Sequence, residues 1–233
     1  MSKILTTLLL TLWLSVGAAW AGDVEDADAA FRRNDYATAL AKYKIAALKK
    51  DAYAQLQVGN MYDEGLGVVP DYAEAVRWYK MAAVQGYARA QFNLGLMYSN
   101  GQGVVQDFAE AVRWYKLAAA QGDARAQNNL GLMYNNGQGV LQDYAEAVRL
   151  YKLAATQGDA EAQSNLGVMY GNGSGVVQDY MRTHMWFNLA AVTGYAIAVK
   201  NRDIVAKRMT PQQIAEAQKL ARECQARNFK NCD

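Results

Sequence analysis

Apolar residues recur along most of this chain at the spacing of one helix face, and that pattern itself recurs every 36 residues. In the stretch from Ala88 to Tyr98, residues Ala90, Leu94, Met97 and Tyr98 fall on one stripe, which predicts a helix. The stripe stops at Gly101 and Gly103. With Gly65/Gly67, Gly137/Gly139 and Gly173/Gly175 in the corresponding places, these supply the positive φ angles that a tight turn between helices demands. A second amphipathic stretch follows, running through Ala111, Val112, Trp114, Tyr115, Ala118 and Ala119 to Gly122. Its start is marked three times, by Asp71, Asp107 and Asp143 with Glu74, Glu110 and Glu146 three residues on, the spacing of a capping box. Asp179 keeps the cap but is followed by Arg182.

The repetition is close. Residues Ala88 to Asp123 and Ala124 to Asp159 differ at six of 36 positions, and 52–87 and 160–195 keep the same register more loosely. One column holds Gly59, Gly95, Gly131 and Gly167, and another holds Tyr62, Tyr98, Tyr134 and Tyr170. A period in this range is that of a solenoid of supersecondary units. The predicted fold is therefore all-α, a right-handed α-solenoid of stacked antiparallel helix pairs. It would comprise repeats at 52–87, 88–123, 124–159 and 160–195, a capping helix pair at 22–51, and capping helices at 196–233. At the last boundary Thr210-Pro211-Gln212-Gln213 forms a capping box with proline at the first helical position. Such caps cover apolar ends that would otherwise aggregate.

Residues 1–21 read as a secretory signal peptide. Lys3 gives a positive start, 4–16 is an apolar run, and Ala19-Trp20-Ala21 is an A-x-A cleavage site, so the mature chain would begin at Gly22. A membrane anchor is the alternative, but the run is short for a span and Asp23, Glu25, Asp26 and Asp28 follow at once. The expected location is the periplasm or outside the cell. Cys224 and Cys232 fit that destination as a structural disulfide, since they lack the C-x-x-C spacing of a redox pair.

Charge and composition narrow the chemistry. The 24 Lys and Arg against 22 Asp and Glu give a net charge of +2, which argues against nucleic acid as a partner. The segment from Ala196 is mildly basic, which reads as a solvated outer face. One histidine and two cysteines are too few for a zinc site, so no metal and no cofactor are expected. The G-x-G pairs lack the following G-K-[ST] of a phosphate loop. Trp78, Trp114 and Trp186, with Tyr79, Tyr115, Tyr151 and Phe187, stand at core spacing.

The pattern A-x-A-Q-x-x-L-G-x-M-Y-x-x-G-x-G-V-x-Q-D-Y-x-E-A-V-R-W-Y-K-L-A-A-x-Q-G, read from Ala88 to Gly122, resembles the Sel-1-like repeat, a relative of the tetratricopeptide repeat with a longer turn. The fourth copy departs at 181–188, and the tail that follows is similar to the terminal unit of bacterial members. The resemblance implies a non-enzymatic scaffold that binds a protein or peptide along its concave first helices. It points to the variable positions there: Gln57, Arg89, Phe92, Asn93, Arg125, Asn128, Asn129 and Asn165. The amide column could bond an extended backbone, and Arg89 and Arg125 could take a carboxylate. Cell-wall glycan, bound as peptidoglycan, is the alternative ligand. Some cysteine-rich relatives are described as penicillin-binding or β-lactamase proteins. Here there is no S-x-x-K, and His184 is the only histidine, so no such site can be assembled and no enzyme is expected.

Overall fold

The computed structural model describes residues 22–230 and 232, and all regular structure among them is helical. The predicted leader lies outside the described residues. Two compact units follow one another, dividing after Gln106 in the turn of the second repeat.

The first unit contains α1 (22–32), α2 (Tyr36–Leu48), α3 (Ala52–Glu64), α4 (Tyr72–Val84) and α5 (Ala88–Asn100). The second contains α6 (Phe108–Ala120), α7 (Ala124–Asn136), α8 (Tyr144–Ala155), α9 (Ala160–Asn172), α10 (Tyr180–Val192), α11 (Ala196–Ala206) and α12 (Pro211–Ala226). Within each unit, from α2 to α5 and from α6 to α11, every helix packs on the next, and α12 packs on α10. Each unit is therefore a stack of antiparallel helix pairs, the α-solenoid class of fold. The short turns allow no other neighbour first.

Local rules fix the helix ends. Asp71, Asp107, Asp143 and Asp179 each accept from the backbone N–H three residues on, at 2.9–3.0 Å. The predicted return bond from the glutamates is replaced. Glu74, Glu110 and Glu146 instead pair with Arg77, Arg113 and Arg149 one turn along, because a guanidinium offers a stronger partner than a neutral amide. A complete box forms at α12, where no arginine competes: Thr210 Oγ1 accepts from Gln213 N, and Gln213 Oε1 accepts from Thr210 N.

Two glycine columns set the packing. A Cβ on Gly59, Gly131 or Gly167 would lie 2.6–2.8 Å from the ring of Tyr79, Tyr151 or Phe187, so the glycine is what lets the pair close. The second turn glycine, at φ of +70° for Gly139 and Gly175, lies against the backbone of Phe108 or Tyr144, the first residue of the preceding second helix. Gly67 meets Tyr36 in the same way. The 36-residue register therefore reaches back into α2.

Buried glutamines tie successive pairs together. Gln55, Gln127 and Gln163 donate to the carbonyls of Ala47, Ala119 and Ala155 at the end of the preceding helix. Gln55 and Gln127 also accept from Gln85 and Gln157 at 2.7 and 2.8 Å. The aromatic columns are core as expected, with Trp114 at 3% exposure and Tyr115 and Tyr151 at 1%. Cys224 and Cys232 form a disulfide, and Phe229 within the loop it closes packs on the core between α8 and α10.

Candidate functional site

The variable positions on the first helices fall into three columns that the fold treats differently. Leu56, Phe92, Asn128 and Ser164 are buried. Phe92 and Asn128 are therefore interior residues and not part of a binding face, a correction to the expectation. Asn128 accepts a hydrogen bond from Asn165 at 2.9 Å. The alternation of leucine, phenylalanine, asparagine and serine in this column looks like a surface position in sequence, yet all four are buried.

The amide column, Gln57, Asn93, Asn129 and Asn165, is half-buried and spends its donors internally. In the first unit Asp28 accepts from Tyr53, Tyr53 accepts from Gln57, Gln57 from Asn60 and Asn60 from Asn93, at 2.7–3.1 Å. Tyr43 also donates to Asp28, and Tyr79 donates to Asn60 and Asp63. In the second unit Asn129 donates to Tyr115 at 3.4 Å. The row is thus a built internal network. Burial, with Asp63 nearby, pushes the Tyr79 hydroxyl up, and burial also raises the Asp63 carboxyl against the lowering effect of that hydroxyl.

The third column is half-buried at Tyr53 and faces water in the later repeats. Arg89, Arg125 and Glu161 are exposed, and Arg125 reaches Asp123 at 3.4 Å.

In the second unit the first-helix face carries a cavity of about 220 Å³ between α9 and α11. Val168, Asn172, Asn201, Ile204 and Arg208 line its walls, over Tyr180 and Phe187. Its one charged lining residue is Arg208, whose guanidinium lies over the Tyr180 ring and donates to its hydroxyl at 3.5 Å. The sequence reading missed this site. Its signal is Gly171, in the column that holds Asp63, Ser99 and Asn135 elsewhere, where loss of a side chain leaves space.

His184 is 3% exposed, and no partner is found for its Nδ1. Burial lowers its pKa, Arg202 lowers it further, and Asp203 opposes both. Trp78 and Trp186 likewise have an unbonded indole N–H. Among the described residues no cluster of His, Cys, Asp or Glu could hold a metal ion, and no helix is long and apolar enough to cross a membrane.

Helix pairs repeated at 36 residues, with two turn glycines and a buried glutamine in each, define an α-solenoid repeat protein. The Sel1 repeat profile matches residues 52–87, 88–123, 124–159 and 160–191, and the chain belongs to that family. A Sel1 repeat protein from Oxalobacter formigenes is 35% identical, with a TM-score of 0.69, over 75% of this chain and 72% of that one. The protective antigen c5321 of uropathogenic Escherichia coli, which displays an SLR fold, is 26% identical with a TM-score of 0.60. That likeness covers 91% of this chain but 54% of the antigen, so the chain spans about half the antigen's length. A sel1 repeat protein from Klebsiella pneumoniae, 22% identical over 80% of this chain and 93% of its own, shares the fold at a TM-score of 0.52. No curated protein matches the chain. Sel1 repeats generally act as scaffolds for protein–protein interaction.

Proposed function

We infer that this protein is a non-enzymatic, exported scaffold that binds a protein or peptide on the first-helix faces of its repeats. The observation that carries the reading is the cavity between α9 and α11, which sets one guanidinium beside two amides over an apolar floor, with no carboxylate in its lining. That combination suits an apolar peptide residue bearing or flanked by a carboxylate, because the charge is met by a bidentate donor while the side chain is removed from water. Arg89 and Arg125 would contribute further cationic contacts on their own units. Export rests on the leader pattern and on the disulfide, which persists in oxidising compartments.

The test is capture from envelope extract and on isolated cell-wall sacculi, with the parent beside Arg208→Glu and Arg89→Glu/Arg125→Glu. Capture of one protein by the parent, lost on charge reversal at Arg208 without loss of helicity, supports the reading. Retention of all three forms on sacculi with no protein captured would replace it with glycan binding. Sequencing the protein recovered from the envelope should give Gly22 first; an intact Met1 would remove the export claim.

A further inference from the structure

Repeats two and three differ at six positions, and one of these changes Trp114 to Leu150. Trp stands in the same column at 78 and 186, so the third repeat alone lacks the indole. In the second repeat the indole has a defined seat. Trp114 is 3% exposed, its Nε1 donates to Glu110 Oε1 at 2.9 Å, and the Arg113 guanidinium lies 4.3 Å from the ring centroid. Arg113 and Glu110 are themselves joined by two hydrogen bonds of 2.9 and 2.6 Å.

The third repeat keeps that seat without its occupant. Arg149 and Glu146 form the same doubly bonded pair, at 2.7 Å for each bond. Leu150 lines a cavity of about 510 Å³ together with Lys116 and Ala119 of α6, Tyr134 of α7, and Glu146 and Arg149 of α8. A leucine ends where an indole would continue, so the space between α6 and α8 is left open. Both polar elements that held the indole in repeat two border that space. One is a carboxylate with lone pairs to spare for an N–H, the other a guanidinium able to lie on a π face.

We propose that this cavity is a docking site for a tryptophan side chain presented by a partner protein. The seat is preformed, so binding orders little of the scaffold, and a buried indole with its N–H satisfied is the kind of anchor that dominates small interfaces. The site lies between the second helices α6 and α8, with α7 behind them, and stands apart from the cavity between α9 and α11.

The probe is N-acetyl-5-fluorotryptophanamide, followed by its fluorine resonance during titration with the full protein. A saturable shift with low-millimolar affinity is expected. Displacement should follow from N-acetyltryptophanamide but not from N-acetylleucinamide. Leu150→Trp installs the residue of the sister repeats; it should fold, keep its melting temperature and weaken the probe at least tenfold. Glu146→Ala removes the N–H acceptor from the surface of α8 and should weaken it several-fold. The proposal is overturned by any of four results: no saturable shift with the parent, equal displacement by the leucine amide, unchanged affinity in Leu150→Trp, or failure of that variant to fold. The last result would refute the equivalence of the column. None of these outcomes bears on capture at Arg208, so the two readings fail separately.

Discussion

A single buried glutamine shows how much one side chain holds in this fold. Gln163 is 1% exposed and donates to Ala155 O at 3.2 Å, a second bond to a carbonyl at the end of α8 that also accepts from Gly158 N at 3.0 Å. Gln163→Ala should cost about 1–3 kcal/mol, because a buried hydrogen bond between α9 and α8 is lost and the truncated side chain leaves a cavity. Asp143→Ala, which removes a cap that is exposed to water, should cost only about 1 kcal/mol. Urea unfolding of both variants checks the order, and equal losses would contradict the role given to the glutamine. His184 works through its proton. Its folded pKa lies below the ordinary 6.5, so as pH falls through that value the unfolded chain takes up a proton that the folded chain resists, and stability is lost. Asp63 has the opposite sign: its carboxyl is raised by burial, so the folded form gains protons first and is favoured as pH falls. The carboxylates of Asp26, Asp35 and Glu110, held low by hydrogen bonds from Lys42, Thr38 and Arg113, contribute only at more acidic pH. The melting temperature should therefore fall between pH 7.5 and 5, and His184→Leu should flatten that fall. An identical slope in the variant would assign the effect elsewhere.

At the scale of the helix, opposing effects of similar size decide what a glycine does. Gly131→Ala gains about 1 kcal/mol of helix propensity. The new Cβ would stand 2.7 Å from the buried ring of Tyr151, and overpacking of that kind costs about 1–3 kcal/mol, so the variant should be destabilised. Gly171 occupies the same kind of helix, but its Cβ would meet Thr183 Cγ2 at 3.3 Å, a tight contact that a shift of a few tenths of an ångström relieves. Gly171→Ala should be neutral or stabilising while narrowing the cavity between α9 and α11. Denaturant midpoints of the two variants moving together would show that propensity, not packing, governs these positions. The contrast also marks what was legible in the sequence. Caps, stripes and turn glycines obey rules that span four residues, so helix ends and the 36-residue register could be read directly. The fate of Glu110 could not, because the capping box and the arginine pair use the same spacing. Nor could the burial of Asn128 or the internal bonding of Asn93, since both depend on which neighbouring helix lies above them. The two cavities arise from missing atoms, at Gly171 and Leu150, and an absence is visible only by comparing columns once the stacking is known.

Over the whole molecule, repeats that contact mainly their neighbours have stability that adds along the chain, which makes the ends decisive. The C-terminal end is built around the disulfide. There α12 packs on α10, Cys224 is fully buried, and the loop closed by Cys232 carries Phe229 onto the core that also holds Trp186 and Tyr151. That loop needs help to stay in place. Asn228 and Phe229 both have positive φ, at 51° and 62°, a conformation that costs a non-glycine residue energy and that a free chain would leave. The bridge is short, nine residues from Cys224 to Cys232 inclusive, so chain entropy makes it worth roughly 2.5 kcal/mol. It acts on a short segment anchored to the core by the Phe229 ring, so its effect should be local. Reduction should leave the helical circular dichroism at 25 °C unchanged and lower the melting temperature by several degrees, with hydrogen exchange accelerating in α12 ahead of α9. Phe229→Ala in the oxidised protein should reproduce part of that acceleration, because the bridge then holds a loop with nothing to bury. Uniform acceleration through α7 to α12 on reduction would instead mean that the C-terminal loop supports the entire second unit, and that the cap and the repeats unfold as one.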